Sequence, residues 1–211
     1  MMKILILGAG GQIARHVVEM LAECEGISMT LFLRSATKLG RPVPGNAGTV
    51  EGDVHDAAKL KAAVAGQDVV YANLAGDVDA QAAAIIAAMK EAGVGKLVFC
   101  TTLGIYDEVP GKFGEWNNRE IGEYFPPYRK AADLIEASGL DYAILRPAWL
   151  TDADEVDFEI TERSEPFRGT EVSRKSVAAA VVRLVEASGP LGNRNIGINK
   201  PGTDGDKPAF M

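Results

Sequence analysis

The amino-acid sequence predicts an α/β protein in which helices flank a doubly wound, parallel β-sheet. Short apolar runs of strand character alternate along the chain with longer segments of 3.6-residue periodicity. Glycine, asparagine or aspartate separates most of these runs, and a glycine-rich loop directly follows the first one. Strands and helices that alternate at this spacing form parallel β-α-β units. A chain of 211 residues with 47% apolar residues is large enough to bury the core of one such domain.

Four strands and three helices are predicted in the first half of the chain. The strands are KILIL at residues 3–7, SMTLFL at 28–33, a weaker strand that ends in GTVEGD, and DVVYAN. The helices are predicted at residues 12–22, 56–64 and 80–92. Ile13, Val17 and Leu21 share one face of the first helix, and Asp56 is expected to cap the second.

The pattern continues up to Pro147 and then becomes less regular. The strands KLVFCTT and DYAILRP flank a helix predicted within EYFPPYRKAADLIEASG, residues 123–139. After Pro147, EVDFEITE predicts an exposed strand with one charged face, Ser173 is expected to cap a helix running to about Ala187, and NIGIN predicts a last short strand. We expect one domain spanning residues 1–211, with a small substrate-side part at about 148–172 and a flexible tail at 200–211.

Composition excludes several classes of function. The net charge is -7 and no Lys/Arg-rich run is present, so we expect no nucleic-acid partner. The first apolar run is too short for a signal-peptide core, and no run approaches the roughly 20 residues that span a membrane, so we expect a cytoplasmic protein without a membrane partner. Cys24 and Cys100 are too few for a disulfide framework. His16 and His55 lack the spacing of metal ligands, so no metal site is predicted.

The loop GAGGQIA is the clearest binding motif, because it connects the first strand to the first helix. Gly8 permits the sharp exit from the strand, and Gly10 and Gly11 let the backbone approach a pyrophosphate. The free amides at the start of the helix, from Gln12 and Ile13 onward, present partial positive charge to that anion. The spacing fits GxxGxxG with Gly8, Gly11 and the small Ala14, and not GxGxxG. The alternative is a tight turn that binds nothing.

The residues after the second strand indicate which dinucleotide would bind. A carboxylate at this point would bind a ribose 2′-hydroxyl, but the segment LFLRSATKL has none. It offers Arg34, Ser35 and Lys38, which suit a 2′-phosphate. We therefore expect NADP(H) to be preferred over NAD(H). The alternative is that Arg34 and Lys38 form only a solvated loop face.

Further candidate cofactor contacts lie where the other strands end. Asp53 could accept a hydrogen bond from the adenine amino group, although an ordinary turn or cap explains it equally well. The NLAG segment supplies small residues against which a cofactor could lie. The expected contacts at these strand ends are Asp53, Val54, Leu74, Ala75, Gly76, Thr101 and Pro147. Together with the glycine loop they follow the carboxyl edge of the sheet, where open α/β folds bind ligands.

Six segments resemble the atypical short-chain dehydrogenase/reductases, in the NmrA-like and flavin/biliverdin-reductase-like branch, which have the Rossmann fold. The segments are GAGGQIA, FLRS, EGDV, KLVFCTTLGIY, KAADLIEASGLDYAILRPAWL and VSRKSVAAAVVRLV. In the wider superfamily a Ser/Thr ends the fifth strand, a Tyr precedes a Lys by four residues on the next helix, and a Pro follows the sixth strand. The resemblance assigns Thr102 to the hydroxyl, Lys130 to the lysine and Pro147 to the proline. The position of the tyrosine is Pro126, which can neither donate nor accept the proton.

The resemblance implies an oxidoreductase that passes hydride from NADP(H) to a flavin, quinone or other conjugated ring system without the usual tyrosine acid. Any proton would come from water or from Tyr106, four residues after Thr102. Lys130 is expected to point to the cofactor, and Tyr128 to point elsewhere as a packing residue. Pro126 and Pro127 are expected to keep the preceding chain extended. The substrate slot is expected to contain Leu103, Tyr106, Trp116, Trp149, Leu150 and Phe158, although these aromatic residues could instead be core.

Two other functions remain open. Some NmrA-like proteins bind the dinucleotide for a partner protein and turn nothing over, and the missing tyrosine favours such an NADP(H)-sensing regulator. A sugar-nucleotide epimerase or dehydratase is a third possibility, but it requires the missing tyrosine. The sequence does not decide between a monomer and a dimer.

Overall fold

The centre of the sheet is formed by strands whose side chains are buried on both faces. The computed structural model describes residues 1–211, and its first strand, β1 (Met2–Leu7), runs parallel between β2 (Ile27–Leu33) and β4 (Val69–Ala72). Ile4 and Ile6 of β1 pack into the core on one face, while Leu5 and Leu7 pack into the core on the other. The unbroken apolar run ILIL at residues 4–7 therefore reflects a strand covered by helices on both sides.

Eight strands form this sheet, and they confirm the predicted doubly wound topology. The remaining strands of the sheet are β3 (Ala47–Glu51), β5 (Lys96–Cys100), β6 (Asp141–Pro147), β8 (Glu159–Glu162) and β10 (Arg194–Asn199). Their order is β3-β2-β1-β4-β5-β6-β10-β8, and every pairing is parallel except that of β8 with β10. The chain reverses its direction of winding between β1 and β4, which is where open α/β sheets bind ligands.

Six α-helices cover the two faces. They are α1 (Gln12–Ala22), α2 (Ala57–Val64), α3 (Val78–Ala92), α4 (Gly111–Ile121), α5 (Phe125–Glu136) and α6 (Arg174–Glu186). Helices α1, α4 and α6 pack on one face of the sheet, and α2, α3 and α5 pack on the other. None of these helices has both the length and the apolar character needed to traverse a bilayer.

Both predicted helix caps are confirmed. The Asp56 carboxylate accepts a hydrogen bond from the Lys59 amide at 3.1 Å, and the Ser173 hydroxyl accepts one from the Ser176 amide at 2.9 Å. Each bond satisfies an amide in the first turn that has no partner within the helix. The first turns of α2 and α6 are therefore stabilised by the capping side chains that the sequence predicts.

The start of α5 differs from the prediction. Tyr124 and Phe125 are both helical, with φ -64° and ψ -40° at Phe125, so the chain before Pro126 and Pro127 is not extended. Proline is tolerated in the first turn because amides there have no helical partner to lose. A 3₁₀ turn at Gly122–Tyr124 joins α4 directly to α5.

The segment after Pro147 is more ordered than its composition suggests. Two short strands, β7 (Trp149–Thr151) and β9 (Glu171–Ser173), form a separate parallel pair that the sequence analysis missed. Of the predicted exposed strand EVDFEITE, only β8 is a strand. Within the tail, Thr203 bonds to Thr170 through backbone and side chain, and the Ala209 amide donates to Glu171. The tail that the sequence predicts to be flexible is thus hydrogen-bonded to the end of the predicted substrate-side part.

Candidate active site

Two adjoining cavities open at the carboxyl edge of the sheet. The first, the glycine-loop cleft, has a volume of about 720 Å³ and is formed by the loops that follow β1, β2, β3 and β4. The second, the apolar slot, has a volume of about 480 Å³ and is formed mainly by the chain that follows β5 and β6 together with α5. Asn73 and Leu74 line both cavities, so a ligand that extends along the cleft reaches the slot.

The glycine loop has the geometry of an anion cradle. Gly8 has φ +80°, and a Cβ at this position would lie 2.3 Å from the carbonyl oxygen of Asn73. Helix α1 begins at Gln12, with Gly11 as an N-cap that has no side-chain hydrogen bond and no acidic residue in the following turn. The first amides of α1 are therefore available to a phosphate, and the helix dipole favours negative charge there. These residues fit a dinucleotide pyrophosphate.

Gly10 and Gly11 let the glycine loop pack closely against other segments of the protein. A Cβ on Gly11 would lie 2.9 Å from the side-chain amide nitrogen of Asn73, and one on Gly10 would lie 3.1 Å from the Cβ of Lys38. From the sequence, both glycines are expected to let a ligand approach the backbone. The structure adds that they let the loop pack against the segments after β4 and β2.

Two cations without acidic partners line the cleft beside β2. Arg34 and Lys38 are exposed and form no salt bridge. Arg15 donates to the Lys38 carbonyl at 2.6 Å and so braces the 3₁₀ turn at Ala36–Leu39 that carries Lys38. Ser35 precedes this turn, bonds to Thr37 at 2.8 Å and does not line the cleft. The arrangement can hold a 2′-phosphate through Arg34 and Lys38.

The far end of the cleft carries a contact that the sequence did not reveal. His55 Nε2 lies 2.9 Å from a carboxylate oxygen of Asp77, and both residues line the cleft. Asp53 also lines the cleft, but its side chain already accepts a hydrogen bond from the His55 amide at 3.0 Å. The turn role considered for Asp53 is therefore present, and one of its carboxylate oxygens has no hydrogen bond within the chain.

The apolar slot is built around Trp149. Its indole nitrogen donates to the side-chain oxygen of Asn117 at 2.9 Å, and its ring lies 4.7 Å from that of Trp116. Asn117 and Trp116 belong to α4, the helix that the sequence analysis missed. Trp116 and Phe158 pack against the core and do not line the slot, which favours the core alternative for these two aromatic residues.

The structure reverses the expected orientations of Tyr128 and Lys130. Tyr128 lines the slot together with Thr102, whereas the Lys130 side chain is 68% exposed and its ammonium donates to Asp79 of α3 at 2.8 Å. Residues two apart on a helix face in opposite directions, and α5 packs on the core through Ala131 and Ile135, so the stripe Tyr128, Ala131, Ile135 faces inward. The same spacing in the sequence could have identified Tyr128. The geometry gives no support to the expected ribose contact of Lys130.

The two side chains of the slot that could ionise to anions, Tyr128 and Cys100, are held in their neutral forms. Burial raises the pKa of Tyr128, and the nearby Cys100 thiol adds to the shift. Burial also raises the pKa of the Cys100 thiol to about 12. Neither a phenolate nor a thiolate is therefore present in the slot near neutral pH. Tyr128 can donate a hydrogen bond but is not activated as a base.

Tyr106 lies outside both cavities. Its hydroxyl donates to Glu136 at 3.1 Å and accepts from the Asn195 side chain at 2.8 Å, and the Arg129 and Arg163 guanidinium groups lie over its ring. Burial, followed by the charge of Glu136, raises the pKa of Tyr106. The geometry does not bring this expected proton donor to the slot, because the chain turns sharply at Gly104, where φ is +87°.

The predicted contacts divide into three groups. Those that line the cleft are Gly8, Gly10, Gly11, Arg34, Lys38, Asp53, Val54, Leu74, Ala75 and Gly76. Those that line the slot are Ile13, Leu74, Thr101, Thr102, Leu103, Pro147, Trp149 and Leu150. Gln12, Ser35, Tyr106 and Lys130 line neither cavity. No group of Cys, His, Asp and Glu residues could hold a metal ion.

Comparison with known proteins agrees with the cleft geometry. A family model described as NAD(P)H-binding matches residues 8–188. A Rossmann-fold NAD(P)-binding family protein from Shigella flexneri is 53% identical, with a TM-score of 0.87 and 100% of both chains covered. A short-chain dehydrogenase/reductase from Veillonella parvula DSM 2008, solved in complex with NADP, is 28% identical, with a TM-score of 0.93 and 99% of each chain covered.

One curated relative is an enzyme. The NAD(P)H azoreductase of Xenophilus azovorans is 31% identical over 148 residues, which are 69% of this chain and 48% of the azoreductase. The chain thus spans about half the length of that relative. Because the NAD(P)H-binding model covers most of the chain and the solved structures share its Rossmann topology, the protein belongs to the NAD(P)H-binding, short-chain dehydrogenase/reductase-like family.

Proposed function

We propose that the protein is an NADPH-dependent reductase that passes hydride to a flat conjugated acceptor, such as a flavin, a quinone or an azo compound. The observation that carries the proposal is the apolar slot that opens from the glycine-loop cleft across Asn73 and Leu74. A dinucleotide held by the glycine loop would extend toward the wall that the two cavities share. The azoreductase relative supports an acceptor of this kind.

The residues of the cleft supply binding and orientation. The amides at the start of α1 would hold the pyrophosphate, and Arg34 with Lys38 would hold a 2′-phosphate, which favours NADPH over NADH. The nicotinamide, when bound, supplies the hydride. Trp149 and Leu150 line the slot and would exclude water from the acceptor.

Tyr128 and Thr102 supply the polar contacts of the proposed reaction. Both line the slot, and Tyr128 stays protonated because burial raises its pKa. As hydride arrives, negative charge develops on a carbonyl oxygen, a ring nitrogen or an azo nitrogen of the acceptor, and a neutral hydroxyl can donate a hydrogen bond to it. Acceptors of this class need little acid catalysis, so Tyr128 acts as a hydrogen-bond donor and the final proton comes from water.

The proposal is tested by turnover with three acceptors. Purified protein is mixed with NADPH and with menadione, FMN or an azo dye, and the loss of NADPH absorbance is followed under anaerobic conditions. Tyr128→Phe and Arg34→Ala are compared with Lys175→Gln, a control that removes a charge outside both cavities. Tight NADPH binding by calorimetry without turnover of any acceptor would contradict the reductase proposal.

Such a result would instead favour an NADP(H)-sensing regulator. The specific observation in favour of this second candidate is that Pro126 replaces the usual tyrosine while Lys130 is paired with Asp79 away from the slot. A sensor would then be expected to bind a partner protein differently with NADPH and NADP⁺.

An epimerase or dehydratase is disfavoured, because the slot contains no group that could act as a base near neutral pH. Both cysteines are free thiols, which suits the cytoplasmic location that we include in the proposal.

A further inference from the structure

The apolar slot contains one charged side chain, Arg174. Ten of the fifteen residues that line the slot are hydrophobic, and Arg174 is the only one with a formal charge near neutral pH. It is the first residue of α6, and its side chain is only 17% exposed. A single guanidinium in apolar surroundings creates a strong local preference for an anion, because little water screens it.

Arg174 has unused hydrogen-bonding capacity. One terminal nitrogen donates to Asp152 at 2.7 Å, but the Asp152 side chain is 81% exposed. The buried Nε atom of Arg174 has no hydrogen-bond partner. A guanidinium carries five N–H donors, and the second terminal nitrogen of Arg174 forms no hydrogen bond within the chain, so an anionic oxygen that reaches it would be stabilising.

The acidic segment near the slot does not oppose an anionic ligand. The run DADEVDFE at residues 152–159 would disfavour anionic ligands if it lined the slot. Asp152 and Asp154 do not line the slot and are 81% and 88% exposed, and each pairs with one basic residue of α6, Arg174 or Lys175. The carboxylate of each pair is exposed to water, so it can be exchanged for a ligand carboxylate.

We propose that the slot selects flat conjugated acceptors that carry a carboxylate or sulfonate, with the anionic group bound by Arg174 and the ring system against Trp149 and Leu150. The inference rests on the proposed reductase function and adds a substrate class to it. The fork of the guanidinium matches the two oxygens of a carboxylate, and the indole of Trp149 offers a flat apolar surface. Arg174 is therefore a specificity-determining residue.

The test compares methyl red, an azo dye with one carboxylate, with its uncharged methyl ester. Binding of each dye to protein saturated with NADP⁺ is measured by calorimetry, and kcat/KM is measured with NADPH. Wild-type protein should prefer the carboxylate by at least about tenfold in both measurements, since a charge-assisted hydrogen bond is lost in the ester. Arg174→Gln should reduce this ratio toward one, and Arg174→Lys should retain part of it.

Lys175→Gln is the matched control, because Lys175 lies on the same helix, pairs with an exposed aspartate in the same way and does not line the slot. Its carboxylate-to-ester ratio should equal that of the wild type. Equal binding of the two dyes by wild-type protein would overturn the inference, whether or not the Arg174 variants fold. An equal loss of the ratio in Lys175→Gln would also overturn it.

The outcomes separate the inference from the proposed function. Preferential binding of methyl red to the NADP⁺ complex without any turnover would support the anionic site and contradict the reductase. Turnover of both dyes at equal kcat/KM, with equal binding, would support the reductase and contradict the anionic site.

Discussion

Replacing Glu108 with glutamine should destabilise the fold, because it would leave a buried arginine without a counter-charge. The Arg146 side chain is 0% exposed and that of Glu108 is 5% exposed, and the two form a salt bridge. Glu108 also accepts hydrogen bonds from the amides of Gly104 at 3.0 Å and Tyr106 at 2.9 Å. The carboxylate therefore ties β6 to the loop that carries Thr102 and Leu103 into the slot.

The size of the effect follows from the burial of both partners. Removing one partner of a buried ion pair costs about 3–5 kcal/mol, far more than an exposed pair contributes. The entropy of unfolding near 60 °C is about 2.1 cal/mol/K per residue, or roughly 0.44 kcal/mol/K for 211 residues. Glu108→Gln should therefore lower Tm by about 7–11 °C.

Differential scanning calorimetry tests this reasoning on five proteins: the wild type, the single variants Glu108→Gln, Arg146→Met and Lys112→Gln, and one double variant. Lys112→Gln removes one partner of the exposed pair with Asp206, whose side chains are 76% and 69% exposed, and should lower Tm by less than about 2 °C. The double variant Glu108→Gln/Arg146→Met leaves no buried charge and should recover part of the loss of the single variant. A single variant within 2 °C of wild type, or a double variant with the summed loss of both single changes, would refute the argument.

Three further predictions concern the two cavities. Arg34→Ala should reduce the preference for NADPH over NADH by at least about tenfold, because a charge-assisted bond to the 2′-phosphate is lost; unchanged calorimetric affinities for both cofactors would show that Arg34 is only a solvated residue. Tyr128→Phe should lower kcat by about tenfold or more. Lys130→Ala should change the Kd for NADPH less than about twofold, since an exposed pair with Asp79 contributes little. An unchanged kcat in Tyr128→Phe together with a large rise in Kd in Lys130→Ala would instead support the orientation expected from the sequence. Because burial raises the pKa of Tyr128 above its usual value near 10, kcat should be constant between about pH 6 and 9 and fall only at higher pH, where the phenol ionises; a decline that begins below about pH 8 would show an activated phenol.

Much of the fold could be predicted from local patterns. The strand KILIL, the caps at Asp56 and Ser173, and the glycine loop each depend on neighbouring residues, and each appears where the sequence indicates. Helix α4 was missed because GKFGEWNNREI has two glycines, few apolar residues and no capping side chain. Its stability depends on packing of Phe113 and Trp116 against the core, which no local pattern records.

The candidate site was also predictable only in part. The lining of the cleft was predictable because parallel strands bring their carboxyl ends to one edge of the sheet. The roles of Tyr128 and Lys130 were assigned by alignment to a superfamily motif, and this outweighed the inward stripe of Tyr128 with Ala131 and Ile135. The pair of Glu108 with Arg146 joins residues 38 positions apart. The only local sign of this ion pair was a charged residue, Arg146, near the end of the largely apolar strand DYAILRP.

The glycine loop packs against Asn73, which lines both cavities. The Asn73 amide donates to the Leu7 carbonyl at 3.0 Å, and its own carbonyl lies against the bare Cα of Gly8. The contact between Gly8 and the Asn73 carbonyl is main chain on both sides, so side-chain substitutions deeper in either cavity leave it in place. Under the proposed function, the position of the glycine loop, and of a pyrophosphate held by it, relative to the slot is then set largely by the backbone. Substitutions at residues such as Arg174 and Trp149 should therefore change acceptor preference while the glycine loop stays in the same place.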